Sequence, residues 1–350
     1  MPSTTTPDGV SRLRDVADLV AAVPHLIGFH PTDSLVLICL AERDDSVRVG
    51  LALRVDLPAE QDRQAVAAQL LAPVLGHRAT EVIAVVLCPA EPRPWPAELP
   101  HAGLIAELDE AFGSAGVPIR HAVWAESIVD GAAWRCYDEA DCCGLLPDPA
   151  DNPIAAATAL AGNVTFASRA EMRAVLDPDP PDALERRTAL IDALLDNSGG
   201  VTPPGFDGPA EALRLLHATI TAAAEQPLRL SDEDVARLAM ALADRRVRDA
   251  CLATVLGDLA DEAERVWLAL TRAVPGPERA EPAVLLAYAS YLRGDGSLAG
   301  MALEVVEAAD GSHRLGRLLR TALDHGMPPD ELAILALDGA AEHSELMGSA

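Results

Sequence analysis

The chain has 350 residues, half of them apolar and 23% charged, which places it among folding globular proteins with room for about two domains. Its formal charge is -27, and so acidic a surface repels phosphate backbones and anionic lipid, excluding nucleic acid and membrane as expected partners. All 27 basic residues are Arg; without Lys, a phosphate loop, a protein-kinase site and Schiff-base chemistry all lack their amine.

Aromatic residues make up only 3%, so the core must be built from Ala, Leu and Val, a composition that favours helices. The first residues, MPSTTTPDGVSRLRD, contain no apolar h-region, and no run reaches the ~18 apolar residues of a membrane span. Six Cys are too sparse for a disulfide scaffold, so reduced thiols in a cytoplasmic protein are expected. The densest basic run, Arg245, Arg246 and Arg248, is flanked by Asp244 and Asp249 and reads as a solvated helix face.

Val16 to Ile27 is a short apolar stretch that ends in the turn Gly28-Phe29-His30-Pro31. Ser34 to Leu40 is apolar on both faces, as in a strand covered on two sides. Val47 to Leu57 alternates cleanly, and with the charged turn near Arg43-Asp44 the two segments read as an antiparallel hairpin. A helix over Glu60–Leu75, a strand over Glu81–Leu87 and a proline-rich loop, EPRPWPAELP, follow. Next come a helix near Leu99–Phe112, a strand near Val117–Ala125 and a further strand near Ala132–Tyr137. That order predicts an α/β domain over residues 1–176, with a mixed sheet, an antiparallel hairpin and flanking helices.

Ser168 with Glu171 has capping-box spacing. The run DPDPPD, residues 177–182, reads as a linker. From 183 to 350 the periodicity predicts helices only, with a second capping box at Ser231 and Asp234 and a loop, VTPPGFDG, between the first two. Gly294 and Gly326 each end a helix and introduce another, 32 residues apart. Leu286 and Ala299 fall where a tetratricopeptide unit wants Leu and a small residue, although Ala283, Ala287 and Ser290 occupy its Trp, Gly and Tyr positions. The expectation is an all-helical hairpin array resembling a tetratricopeptide solenoid.

Two places carry candidate chemistry. A turn centred near Arg43-Asp44 sets Asp33 opposite Arg54, with His30 and Asp56 at the same strand ends. One His, two carboxylates and an Arg at a sheet edge suit a polar small molecule or acid–base work, and suit equally a salt-bridged cap that fixes the hairpin. In WRCYDEADCC, Cys136, Cys142 and Cys143 offer thiols to a metal such as zinc. Zinc motifs usually separate paired Cys by two to four residues, so buried apolar side chains or a redox-sensitive thiol pair is the competing reading. His-Glu-x-x-His and Gly-x-Ser-x-Gly are both absent, which removes zinc-protease and α/β-hydrolase readings.

The string LVAAVPHLIGFHPTDSLVLICL, the RVDLP that closes the second strand, the Cys-rich segment and LLAYASYLRGDGSLAGMALEVVEAAD resemble an actinobacterial family, domain of unknown function 4192. The likeness runs from about Leu13 to Pro328 and is most specific at GFHPTDSLV. It implies a bacterial cytoplasmic protein and carries no assigned activity. The expected function is a non-catalytic binding or scaffold protein, with the helical domain meeting a protein partner or a second copy and no cofactor required. The alternative is a hydrolase or transferase acting on a small molecule at His30, Asp33, Arg54 and Asp56.

Overall fold

A computed structural model describes residues 15–43, 46–89, 99–139, 141–197 and 204–348. The initial 14 residues, the hairpin tip, most of the proline-rich loop and part of VTPPGFDG lie outside the described residues. The chain divides into two compact units, Met1–Met172 and Arg173–Ala350.

In the first unit α1 (Val16–Ile27) leads into β1 (Ser34–Arg43) and β2 (Ser46–Asp56), followed by α2 (Arg63–Gly76), β3 (Glu81–Leu87), α3 (Ala102–Ser114) and β4 (Ile119–Ala125). Two short strands, β5 (Ala133–Cys136) and β6 (Cys143–Leu145), and the helices α4 (Pro153–Leu160) and α5 (Arg169–Ala174) complete it. The six strands form one sheet in the order β2-β1-β3-β4-β5-β6. β1 is antiparallel to both β2 and β3, whereas β3 and β4 are parallel. It follows that β2, β3 and β4 all run the same way, so β2-α2-β3-α3-β4 is a pair of crossover units with β1 inserted between the first two strands.

Periodicity explains which face meets the helices. Leu35, Leu37 and Cys39 of β1 join Val82, Ala84 and Val86 of β3 and Trp124 of β4 in one cluster with Leu70 and Val74 of α2 and Leu104, Leu108 and Phe112 of α3. The alternate residues Val36, Ile38, Ile83, Val85 and Val123 are buried as well, so the central strands are covered on both sides, as their unbroken apolar runs require. The α1 helix ends on Gly28, whose φ of 88° is left-handed and costs a glycine nothing.

The hairpin register departs from expectation. Ser34 pairs with Asp56 and Val36 with Arg54, so Arg54 does not stand opposite Asp33. Two causes add: the strands close on Arg43↔Ser46, and a bulge between Ile38 and Leu40 inserts a residue into the ladder. Asp33 lies opposite Leu57, whose amide donates to the Asp33 carbonyl at 3.2 Å.

Among its described residues the second unit has helices as its only regular elements: α6 (Pro181–Asn197), α7 (Pro209–Glu225), α8 (Asp232–Ala243), α9 (Arg245–Cys251), α10 (Ala260–Ala273), α11 (Ala280–Leu292), α12 (Gly296–Ala309), α13 (Arg314–Asp324), α14 (Pro329–Leu332) and α15 (Ile334–Gly348). Ser231 and Asp234 form the reciprocal capping box that opens α8. At α5 the box is half-formed: the Glu171 amide donates to Ser168 Oγ at 3.1 Å, but the Glu171 carboxylate accepts from Ala167 instead. The stretch 177–182, whose composition suggested a linker, is anchored, because Asp179 accepts from Arg187 at 2.7 Å and its amide donates to the Arg272 carbonyl. The basic run also differs from expectation. Arg245 and Arg246 are exposed, but Arg248 is buried, with its side chain 8% exposed.

Candidate functional site

The ends of β2, β3 and β4 share one edge of the sheet, and α2 and α3 both start there. In open α/β sheets ligands settle outside the carboxyl ends of the strands, because the following loops and helix starts present polar groups to one crevice. Here that edge gathers Asp33 before β1, Arg63 at the start of α2, Cys88 just after β3 and His101 just before α3.

Two of these residues hold unusual backbone. Asp33 has φ 45° and His101 φ 59°, both left-handed and neither glycine, a strain of order 1–3 kcal/mol each that persists only where surrounding structure fixes it. His101 caps α3 without a side-chain hydrogen bond. Its Nδ1 is buried and finds no partner among the described residues, and the same is true of Arg63 Nε. The Arg63 guanidinium lies against the first turn of α3, where a Cβ on Gly103 would stand 2.6 Å from Nη1. A side chain at that position would require the guanidinium to shift. The nearest carboxylate partner of Arg63 is Glu60, at 3.7 Å and 85% exposed.

Burial, and then the neighbouring Arg63, hold His101 below the usual histidine range, with Asp33 pulling the other way. Burial pushes the Cys88 thiol up, a hydrogen bond with the Trp124 side chain opposes the rise, and the Asp33 charge adds to it. Tyr137 is also raised by burial, and its hydroxyl donates to the Pro100 carbonyl at 2.5 Å. The net result is a guanidinium and an imidazole, each with a buried nitrogen in reserve, beside the exposed carboxylates of Asp33 and Glu60.

Of the residues expected at the hairpin end, the structure joins Arg54 and Asp56, whose ion pair measures 2.5 Å, and places Ser34 Oγ 2.8 Å from Arg54 Nε. Asp33 faces the β3–α3 edge, within electrostatic reach of His101 and Cys88. His30 belongs to a different neighbourhood: burial and His25 lower it, and it is hydrogen-bonded to the Ile128 backbone. Its amide donates to Phe166 at 3.0 Å. Arg63 and His101 carried no sequence signal, since neither sits in a motif; only the strand order brings them to Asp33.

The three thiols weighed as metal ligands against a buried or redox-sensitive set are split. Cys136 and Cys142 form a disulfide across a Cα–Cα distance of 5.4 Å, and Cys143 next to them is exposed. That bond corrects the expectation of reduced thiols throughout. Among the described residues no group of three or more His, Cys, Asp or Glu side chains is arranged to hold a metal ion. Nor is any described helix long and apolar enough to cross a membrane.

Fold and edge together define an α/β unit with a polar strand-end edge, followed by a helical unit. The chain belongs to the family described as domain of unknown function (DUF4192), whose model matches residues 17–330. No curated protein and no solved structure matches it.

Proposed function

We propose that the protein is a non-catalytic binding protein whose α/β unit holds a small metabolite bearing an anionic group at the β2-β3-β4 edge. The observation that carries this reading is the pair of buried nitrogens without partners, Arg63 Nε and His101 Nδ1. The Arg63 Nε–H is a donor in every state, and leaving it buried and unpaired costs about 1–3 kcal/mol that a ligand oxygen would recover; the His101 tautomer with hydrogen on Nδ1 would add a second donor. The guanidinium also lies over the positive end of α3, so an anion would balance two like charges. Thermal-shift titrations with phosphate, AMP and citrate at constant ionic strength test the reading. Stabilisation by at least one anion that disappears in Arg63→Met is the expected result. No stabilisation by any of them, or an equal response in Arg63→Met, overturns it.

A second reading concerns the helical unit as a tetratricopeptide-like array that meets a protein partner, here a second copy of the chain. Consecutive packing of α10 on α11, α11 on α12 and α12 on α13 supports it, as do the left-handed helix ends at Gly294 and Gly326. Ile334 and Leu337 on α15 are 55% and 57% exposed, a cost that a partner surface would remove. Sedimentation of the whole chain should show dimer that Leu337→Arg converts to monomer; a monomer at every concentration refutes self-association.

A further inference from the structure

The helical unit contains a cleft of about 670 Å³ between α9, the start of α11, α13 and α15, within the range of small-ligand pockets. Its floor is ionic. Arg248 donates from Nε to Asp249 at 2.7 Å and from Nη1 to Glu281 at 3.1 Å. His313, 6% exposed, caps α13 by accepting the Gly316 amide on Nδ1 at 3.0 Å. Because Nδ1 accepts, the neutral ring carries its hydrogen on Nε2 and donates it to Glu281 Oε2, 3.3 Å away. Nε2 therefore cannot accept from Arg248 Nη1, which lies 3.3 Å from it. One Glu281 oxygen serves both donors, and the guanidinium keeps N–H capacity beyond its two carboxylates.

The walls are charged and unpaired. Arg245 opens α9 and Arg314 opens α13, and neither has an ion-pair partner among the described residues. Asp338 and Glu342, one turn apart on α15, likewise have none. The rest of the lining is mixed: Leu252, Leu315, Leu318 and Leu335 are aliphatic, with Leu318 59% exposed, while the Asp310 carboxylate accepts from both the amide and the hydroxyl of Ser312. A purely anionic ligand would leave the two α15 carboxylates opposed, and a purely cationic one would leave the arginines. A charge-separated ligand with an apolar body satisfies all of them.

We propose that this cleft binds a short apolar peptide with free ends, its carboxylate on Arg245 and Arg314 and its ammonium on Asp338 and Glu342. The site lies within the helical unit and does not depend on the strand-end reading.

Calorimetric titration of the full chain with tri-leucine, its N-acetyl form and its C-terminal amide tests it. Free tri-leucine should bind, and each end-blocked form should bind at least about tenfold more weakly, a difference of about 1.4 kcal/mol. Arg245→Gln with Arg314→Gln should abolish discrimination against the amide, and Asp338→Asn with Glu342→Gln discrimination against the acetyl form. These four side chains stand on the cleft wall rather than in the core, so the variants should fold, as circular dichroism would verify. Binding should persist in Arg63→Met, which separates this site from the strand-end edge. No binding at millimolar peptide, or equal binding of free and blocked forms, overturns the proposal.

Discussion

Gly339 of α15 meets the Asp249 carbonyl so closely that a Cβ there would stand 2.5 Å from the oxygen and 3.1 Å from the Ala253 amide nitrogen. Both obstacles are backbone and cannot swing aside. Gly339→Ala should therefore destabilise the chain by about 1–3 kcal/mol, the range for overpacked interiors, read as a lower urea midpoint. Gly113 is the control, since a Cβ there meets nothing within 4 Å. Gly113→Ala in α3 should be neutral or stabilise by about 0.5–1 kcal/mol. Equal effects at the two positions would contradict the packing of α15 on α9.

Asp295 caps α12 by accepting the Leu298 amide at 2.9 Å, and burial raises its carboxyl despite Arg293 nearby. Cap and charge can be separated. Asp295→Ala removes both and should cost about 0.5–2 kcal/mol. Asp295→Asn keeps the cap and relieves the buried charge, so at neutral pH it should be no less stable than the parent. Chemical denaturation of the two variants decides; an Asn variant as unstable as the Ala variant would show that the Arg293 pairing dominates.

His101, His30 and His217 are all held below the usual histidine range, burial being the leading cause for each. In the window between those lowered values and the unfolded value of about 6.5, the unfolded chain binds more protons, so stability falls as pH drops. His101→Gln should reduce that slope without abolishing it, because the other two histidines remain. Unfolding free energies from about pH 7 to about pH 5 provide the measurement. A variant with an unchanged slope would place His101 in solvent rather than at the strand-end edge.

Native alkylation should label Cys143 first. Cys39, Cys88 and Cys251 are buried, and burial pushes Cys39 and Cys251 up to about 12, which leaves almost no thiolate. Peptide mass mapping after brief iodoacetamide exposure checks the order; early modification of Cys251 would mean that α9 opens readily.

Much of the architecture is legible in the residues. The two-sided apolar run at Ser34–Leu40 and the alternation after it announce the hairpin, and Ser231 with Asp234 marks the start of α8. Register was harder. Neither the bulge at Ile38/Leu40 nor the placement of β1 between β2 and β3 leaves a local trace, because both are set by pairing between segments remote in sequence. For the same reason the strand-end set escaped: Arg63, Cys88 and His101 belong to different elements and meet only through strand order. The aspartates flanking Arg248 suggest a wet surface, whereas Glu281, its second partner, is remote in sequence and leaves no local sign of the burial. In DPDPPD the prolines suggested a spacer, but Asp179 accepts from a buried arginine.

The inserted antiparallel strand acts as a ruler. Two interstrand spacings, about 10 Å, separate the tip of β2 from the tip of β3, and the Asp33–Ser34 corner fills the interval. On the proposed reading of this edge, a molecule reaching from the β2 tip to the α3 threshold would have to bridge that corner, which would favour elongated guests with their negative group at one extremity over compact ones.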